Sequence, residues 1–174
     1  PDAGDAFITR LDRMGSALVF STFLGAPYPD AAADVAVDKS GVVTLAGWAN
    51  GHYPTTAGSF DPTYNGSADA FVARLNPSAT RLLYSSLFGA FSLDSFAGLG
   101  VTPSGRVALG GTNYGGGYPV TPGAYDTTYN LGQSDVVVTV LDLLPQGVLQ
   151  FGASTPSCLG PLVLGTTRMP TRGP

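Results

Sequence analysis

Few side chains in this chain of 174 residues are suited to catalysis. His52 is the only histidine and Cys158 the only cysteine. A Ser-His-Asp or Cys-His arrangement would have to use one of them, and the chain has no Gly-x-Ser-x-Gly turn to present a serine nucleophile. Cys158 has no neighbouring metal ligands in the sequence, so we interpret it as a structural or incidental thiol. We therefore assign no catalytic residue and no cofactor, and expect a protein that is not an enzyme.

All twelve acidic residues are aspartates, and two of them could in principle support glycoside hydrolysis, although the sequence favours no particular pair. Oxygen ligands suited to calcium recur at alternating positions in two stretches: Asp61, Asn65, Ser67 and Asp69, and in part Asp126, Asn130 and Asp135. Their spacing does not match an EF-hand loop. Because Asp and Asn commonly close turns through the backbone, turn chemistry is the preferred interpretation, calcium binding at Asp61, Asn65 and Asp69 stays open, and no metal ligand is assigned.

The elements that position these residues belong to an internal repeat. Residues 5–11 (DAFITRL) align with residues 69–75 (DAFVARL), and the match continues at the same offset through Gly25-Ala26 with Gly89-Ala90 and Asp30 with Asp94. A third copy begins at Asp135. Asp5, Asp69 and Asp135 thus recur at strand starts beside Arg10 and Arg74, and we expect them to form hydrogen bonds at strand edges. A fixed period of this kind is typical of repeat architectures.

Each period of about 65 residues predicts four short strands. In the complete copy they cover residues 33–38, 42–49, 70–76 and 81–88. Abundant Gly and Pro, with Asp as the sole acidic residue, favour strands and turns over helices. Stretches such as Val42-Val43-Thr44-Leu45-Ala46 and Val136-Val137-Val138 are apolar at successive positions, which predicts burial on both faces of the sheet. Four-stranded antiparallel units that pack face to face around an axis form a β-propeller, so the predicted class is all-β.

The same residues carry a resemblance to a known family. Residues 69–78 (DAFVARLNPS), the run Leu83-Tyr84-Ser85-Ser86, and residues 35–47 resemble the SBBP-type bacterial β-propeller repeat. The resemblance covers residues 5–153 and weakens at Asp135. It implies a propeller fold in a large secreted or surface protein, and it implies no shared catalytic activity.

The positions at which the repeats begin along the chain predict about two and a half blades. Residues 1–30 form a half blade, residues 31–94 a full blade, residues 95–153 a second, degenerate blade, and residues 154–174 a C-terminal tail. Because propellers close with about four to eight blades, we expect this chain to leave blade faces open. Further blades of the same parent chain, or other copies of the chain, would cover them.

The long connections indicate the binding surface. In a four-stranded meander the second connection and the link between blades lie at the same edge, and here the second connections, residues 50–68 and 113–134, are long. They carry six aromatic residues: Tyr53, Phe60, Tyr64, Tyr118, Tyr125 and Tyr129. Aromatic loops suit protein or glycan contacts. Their repetition in both blades favours a simpler role, in which each aromatic anchors its loop on its own blade.

The net charge and the length of the apolar runs argue against two classes of function. The net charge of −4 argues against a surface that binds nucleic acid, and no apolar run is long enough to span a membrane. The leading hypothesis is a structural or adhesive repeat module of a secreted bacterial protein, located outside the cell or on its surface, that mediates protein or glycan contacts or assembly. Two alternatives remain open: a fragment of a propeller hydrolase or lyase whose active residues lie in other blades, and a self-assembling filament subunit.

Overall fold

The computed structural model describes residues 4–143, and they form nine β-strands and no helix. The strands are β1 (Ala6–Leu11), β2 (Leu18–Leu24), β3 (Asp30–Val37), β4 (Val43–Ala49), β5 (Asp69–Leu75), β6 (Leu82–Phe88), β7 (Asp94–Val101), β8 (Arg106–Asn113) and β9 (Asp135–Asp142). They pair antiparallel in chain order as sheet 1 (β1-β2), sheet 2 (β3-β4-β5-β6) and sheet 3 (β7-β8-β9). The all-β prediction is confirmed.

The four predicted strands of the complete repeat are present as β3 to β6, with ends that agree within three residues. The largest difference lies at β3, which begins at Asp30 instead of residue 33. A β-bulge explains it: the pairing of β3 with β4 shifts register between Ala32 and Asp34, which hides the alternation that marks a strand. β7 repeats the same shift between Phe96 and Gly98.

Side chains of turn residues close the short connections of sheet 2. The Asp38 carboxylate accepts hydrogen bonds from the Ser40 and Val42 amides, and the Asn76 side chain accepts two from Thr80 and Arg81. Such local hydrogen bonds replace the hydrogen bonds between strands at the points where the chain reverses direction.

Asp69 begins β5, and Arg74 lies near the opposite end of the same strand. Arg74 forms a buried ion pair with Asp38, with Nη2 and Oδ2 2.9 Å apart. The two side chains meet because the antiparallel register of β3, β4 and β5 brings the end of β5 to the start of the β3-β4 turn.

Sheet 2 is covered on both faces, as its apolar strands predict. One cluster joins it to sheet 1 through Ile8 and Leu24, which pack with Leu45, Phe71 and Leu87. A second cluster joins its other face to sheet 3: Ala46, Ala70, Val72, Tyr84, Phe88, Phe96, Val107, Leu109 and Leu143. Sheet 2 therefore lies between the other two sheets, and the core is divided into two layers.

The outward sides of sheets 1 and 3 are apolar and exposed. Phe7 and Phe23 are cross-strand partners on sheet 1, with 66% and 76% of their surface exposed. Val136 and Val138 on β9 are 80% and 77% exposed, so the prediction that this strand is buried on both sides was wrong. No sheet within residues 4–143 covers either face. We call these two surfaces the sheet 1 end face (Phe7 and Phe23) and the sheet 3 end face (Val136 and Val138).

Candidate functional site

The long connections and the links between sheets meet at one edge of the protein, which we call the long-loop edge: residues 25–29, 50–68, 89–93 and 114–134. The backbone joins them directly. The Asp94 amide donates to the Ala68 carbonyl at 2.8 Å, and the Ser67 amide donates to the Ser92 carbonyl at 3.1 Å. The Tyr114 amide likewise donates to the Leu93 carbonyl. The predicted grouping of these segments at one edge is confirmed.

The candidate calcium ligands Asp61 and Asn65 close a turn. Asp61 Oδ1 accepts the Thr63 amide at 2.8 Å, and Asp61 Oδ2 accepts the Asn65 side-chain amide at 2.8 Å. The second long connection repeats both bonds with Asp126, Thr128 and Asn130. The turn interpretation is confirmed. Among residues 4–143, no three carboxylate, histidine or cysteine side chains come together as a metal site.

Asp69 is completely buried at the start of β5. The Asn65 amide donates to its Oδ2 at 2.9 Å, and the Asn130 amide makes the same bond to Asp135, as expected for an edge hydrogen-bonding role. The buried Oδ1 of Asp69 accepts no hydrogen bond within the described part of the chain. Burial, with a smaller contribution from the negative charge of Asp94, raises the pKa of Asp69 to about 6.

Asp94 lies on the other side of Gly89 from Asp69. Its carboxylate accepts the Ala90 amide at 2.9 Å and the Asn113 side-chain amide at 2.6 Å. Burial raises the pKa of Asp94 as well. A Cβ atom added to Gly89 would lie 2.7 Å from Asp69 Oδ1 and 2.8 Å from Asp94 Oδ2. Glycine is therefore required where the link passes between the two carboxyl groups.

The same arrangement recurs one repeat earlier. A Cβ atom on Gly25 would lie 2.7 Å from Asp30 Oδ2 and 3.3 Å from Asp5 Oδ1, and the Ala26 amide donates to Asp30 at 2.8 Å. The sequence alignment had paired these glycines and aspartates between repeats, which was the available signal, but it did not show that they contact one another. Because the repeat preserves them, we interpret the paired carboxyls as part of the scaffold.

We expect Gly89→Ala to destabilise the protein by about 2 kcal/mol, because the new methyl group would force the two buried carboxyl groups apart. Chemical denaturation followed by circular dichroism measures the loss. Gly110→Ala is the matched control, since a Cβ atom there has no neighbour within 4 Å. Equal stability of Gly89→Ala and the wild type would contradict the close approach.

Several of the predicted aromatic residues anchor the loops, as the simpler interpretation states. The Tyr53 ring stacks on Phe71 with centroids 4.5 Å apart, and Phe60 stacks on Phe88 at 5.2 Å. The Tyr118 hydroxyl is 2.6 Å from the Thr139 hydroxyl on β9. These three residues lie against their own sheets and present little surface for a ligand, apart from Phe60, which stays partly exposed.

Tyr64, Tyr125 and Tyr129 lie at the surface of the same loops. Tyr125 is fully exposed, whereas Tyr129 is partly buried and its hydroxyl donates to the Gly132 carbonyl at 3.1 Å. Tyr64 borders an open cleft whose lining is Tyr28, Asn50, Gly51, His52, Pro62, Thr63 and Tyr64. His52 contacts Tyr28 there, with ring centroids 6.1 Å apart. Sequence reasoning missed Tyr28, which lies in a link rather than in a long connection.

Cys158 and residues 154–174 lie outside the described residues. Residues 4–143 contain no helix that could cross a membrane. No protein-family model matches the chain, and no curated protein matches its sequence.

Proposed function

We propose that the chain is part of a β-propeller of the SBBP type and acts as a structural or adhesive module, outside the cell or on its surface, of a secreted bacterial protein. Support comes from three consecutive antiparallel sheets, two apolar layers between them, and turn and carboxyl networks that recur from one repeat to the next. Open sheets that bury both faces against neighbours are the propeller arrangement.

The observation that carries this proposal is the chemistry of the end faces. Phe71 and Leu87 are the residues through which sheet 2 packs on sheet 1, and their repeat counterparts on sheet 1 are Phe7 and Phe23. Val72 packs towards sheet 3, and its counterpart on β9 is Val138. Each end face thus carries the side chains that contact a neighbouring sheet inside the chain. Further sheets of the same kind are the partners that fit them.

The edge strand of sheet 2 supports the same arrangement. Val35 and Val37 on β3 are exposed, whereas their repeat counterparts Leu99 and Val101 on β7 pack against the cluster between sheets 2 and 3. In the described part of the chain, sheet 1 consists of two strands, the counterparts of β5 and β6, so it does not reach the two valines. Strands equivalent to β3 and β4, added to sheet 1, would cover them.

Removing the apolar side chains of the sheet 1 end face tests the proposal. We expect the isolated chain to self-associate with rising concentration or to bind the dye ANS, because no sheet within residues 4–143 covers this apolar face. The double substitution Phe7→Ser, Phe23→Ser should weaken both, because only the sheet 3 end face then remains apolar, while the circular dichroism spectrum stays the same. Phe91→Ser is the control, since Phe91 is a phenylalanine at least as exposed but lies on the long-loop edge.

Sedimentation velocity and dye fluorescence provide the measurements. A chain that stays monomeric and binds no dye would contradict the proposal. So would association that the double substitution leaves unchanged.

A further inference from the structure

The cleft beside Tyr64 is built from three separate segments. Tyr28 comes from the link between sheets 1 and 2, residues 50–52 begin the long connection, and residues 62–64 return to the same place ten residues later. The Asn50 amide donates to the Pro29 carbonyl, and the backbone of Gly51 forms a hydrogen bond with the Tyr64 hydroxyl. The walls are therefore held together by bonds within the protein, and the cleft does not need a ligand to form.

The next repeat also has a cavity, lined in part by the counterparts Gly116, Gly117, Thr128 and Tyr129, but its lining differs from that of the cleft. Tyr28 is replaced by Ser92 at the equivalent position, and His52 aligns with Gly117. The ring of Tyr129, the counterpart of Tyr64, packs over Gly116 instead. The next repeat forms its sheet without a tyrosine and a histidine at these two positions. A scaffold role shared by the repeats therefore does not explain Tyr28 and His52.

The chemistry of the lining selects the ligand. None of the seven lining residues is Asp, Glu, Lys or Arg, which gives a charged ligand no partner. Tyr28 and Tyr64 expose 48% and 38% of their surface. An aromatic ring that carries a hydroxyl group suits a ligand with one apolar face and one polar, hydrated face. Asn50 and His52 add polar side chains to the lining.

We propose that this cleft binds a neutral saccharide, whose ring packs on Tyr28 and Tyr64 while its hydroxyl groups hydrogen-bond to Asn50 and His52. A few polar groups among aromatic side chains form the usual lining of small-ligand sites. The inference rests on the adhesive role proposed above and specifies its ligand. The proposed site lies at the long-loop edge, and a saccharide bound there leaves both end faces free.

Saturation-transfer NMR with the full 174-residue chain tests the proposal. The probes are neutral gluco-, manno-, galacto-, xylo- and chito-oligosaccharides. We expect signal transfer to at least one of them, and affinity weakened about tenfold by Tyr28→Ala or Tyr64→Ala, because one stacking ring is lost. Tyr129→Ala removes the counterpart of Tyr64 in the other long loop and should bind like the wild type.

Three outcomes would overturn the saccharide site: no transfer to any of the neutral probes, equal weakening by Tyr129→Ala, or binding only of a sulfated oligosaccharide or a peptide. Thermal unfolding of each variant shows whether lost binding reflects lost folding, and His52→Ala offers a second variant that removes no packing on a strand. The end-face variant Phe7→Ser, Phe23→Ser should bind the saccharide normally. Failure of the assembly proposal is thereby separated from failure of the saccharide site.

Discussion

Asp38→Ala should destabilise the protein by about 3–5 kcal/mol, the largest effect that we expect from a single substitution. The Arg74 side chain is completely buried and that of Asp38 nearly so, with the two 2.9 Å apart. Removing the carboxylate breaks a buried, hydrogen-bonded ion pair, and it also removes the acceptor that closes the β3-β4 turn. Urea denaturation at neutral pH measures the change in the free energy of unfolding.

The chain contains its own control for this prediction. Arg106 and Asp142 also form an ion pair, but both side chains remain substantially exposed. Water solvates both charges in the folded and in the unfolded state, so Asp142→Ala should cost far less stability than Asp38→Ala. Asp38→Asn separates the two roles of Asp38, because the amide oxygen can still close the turn while the charge is gone. Equal losses for Asp38→Ala and Asp142→Ala would show that burial of the Arg74 pair contributes nothing.

The partner of Arg74 illustrates what the sequence does not reveal. Local signals were sufficient for the strands, because runs of apolar residues within the repeat predicted β3 to β6. Asp38 and Arg74 are 36 residues apart, and they meet only because β3, β4 and β5 pair in one particular register. Register depends on the whole sheet, so it cannot be read from either segment alone.

Burial shows the same division between local and long-range information. The apolar patterns of β4 and of β9 gave the same prediction, yet β4 lies inside sheet 2 between two packed layers whereas Val136 and Val138 face away from the other sheets. A pattern indicates which faces can be buried. Whether a neighbour covers them depends on what else stacks on the sheet.

The candidate site was predicted only in part. Repetition of the aromatic residues correctly indicated that Tyr53 and Phe60 anchor loops, because a residue that every repeat keeps serves the fold they share. The cleft depends on Tyr28, whose position in a short link gave no signal until the structure placed it beside His52. Departures from a repeat, rather than its matches, indicated the positions to examine for binding.

The buried carboxyl group of Asp69 should make the protein less stable as the pH rises from about 4 to about 6. Its pKa is about 6 in the folded protein against an ordinary value of 3.8. Below pH 3.8 both states hold the proton and the folded state is not penalised. As the pH rises, the unfolded chain loses the proton first, and the stabilising contribution is gone once the pH passes the folded pKa.

A shift from 3.8 to about 6 corresponds to a loss of about 3 kcal/mol across this range. Asp94 and Asp30, whose pKa values burial also raises, act in the same direction. Asp126 acts in the opposite direction, because hydrogen bonds from Asn130 and Thr128 lower its pKa to about 2. Its contribution is lost only as the pH falls below about 4, so the two effects occupy separate pH ranges.

Asp69→Asn isolates the contribution of Asp69. The amide cannot ionise, its oxygen can still accept the Asn65 amide, and its NH₂ group can face Asp94 across Gly89. We expect the variant to be more stable than the wild type at pH 7 and to lose most of the decline between pH 4 and 6, measured by urea denaturation at a series of pH values. Asp135→Asn, at the partly exposed counterpart position, is the matched control. A decline that persists unchanged in Asp69→Asn would show that Asp69 ionises without penalty, and that its burial between the two sheets is not maintained in solution.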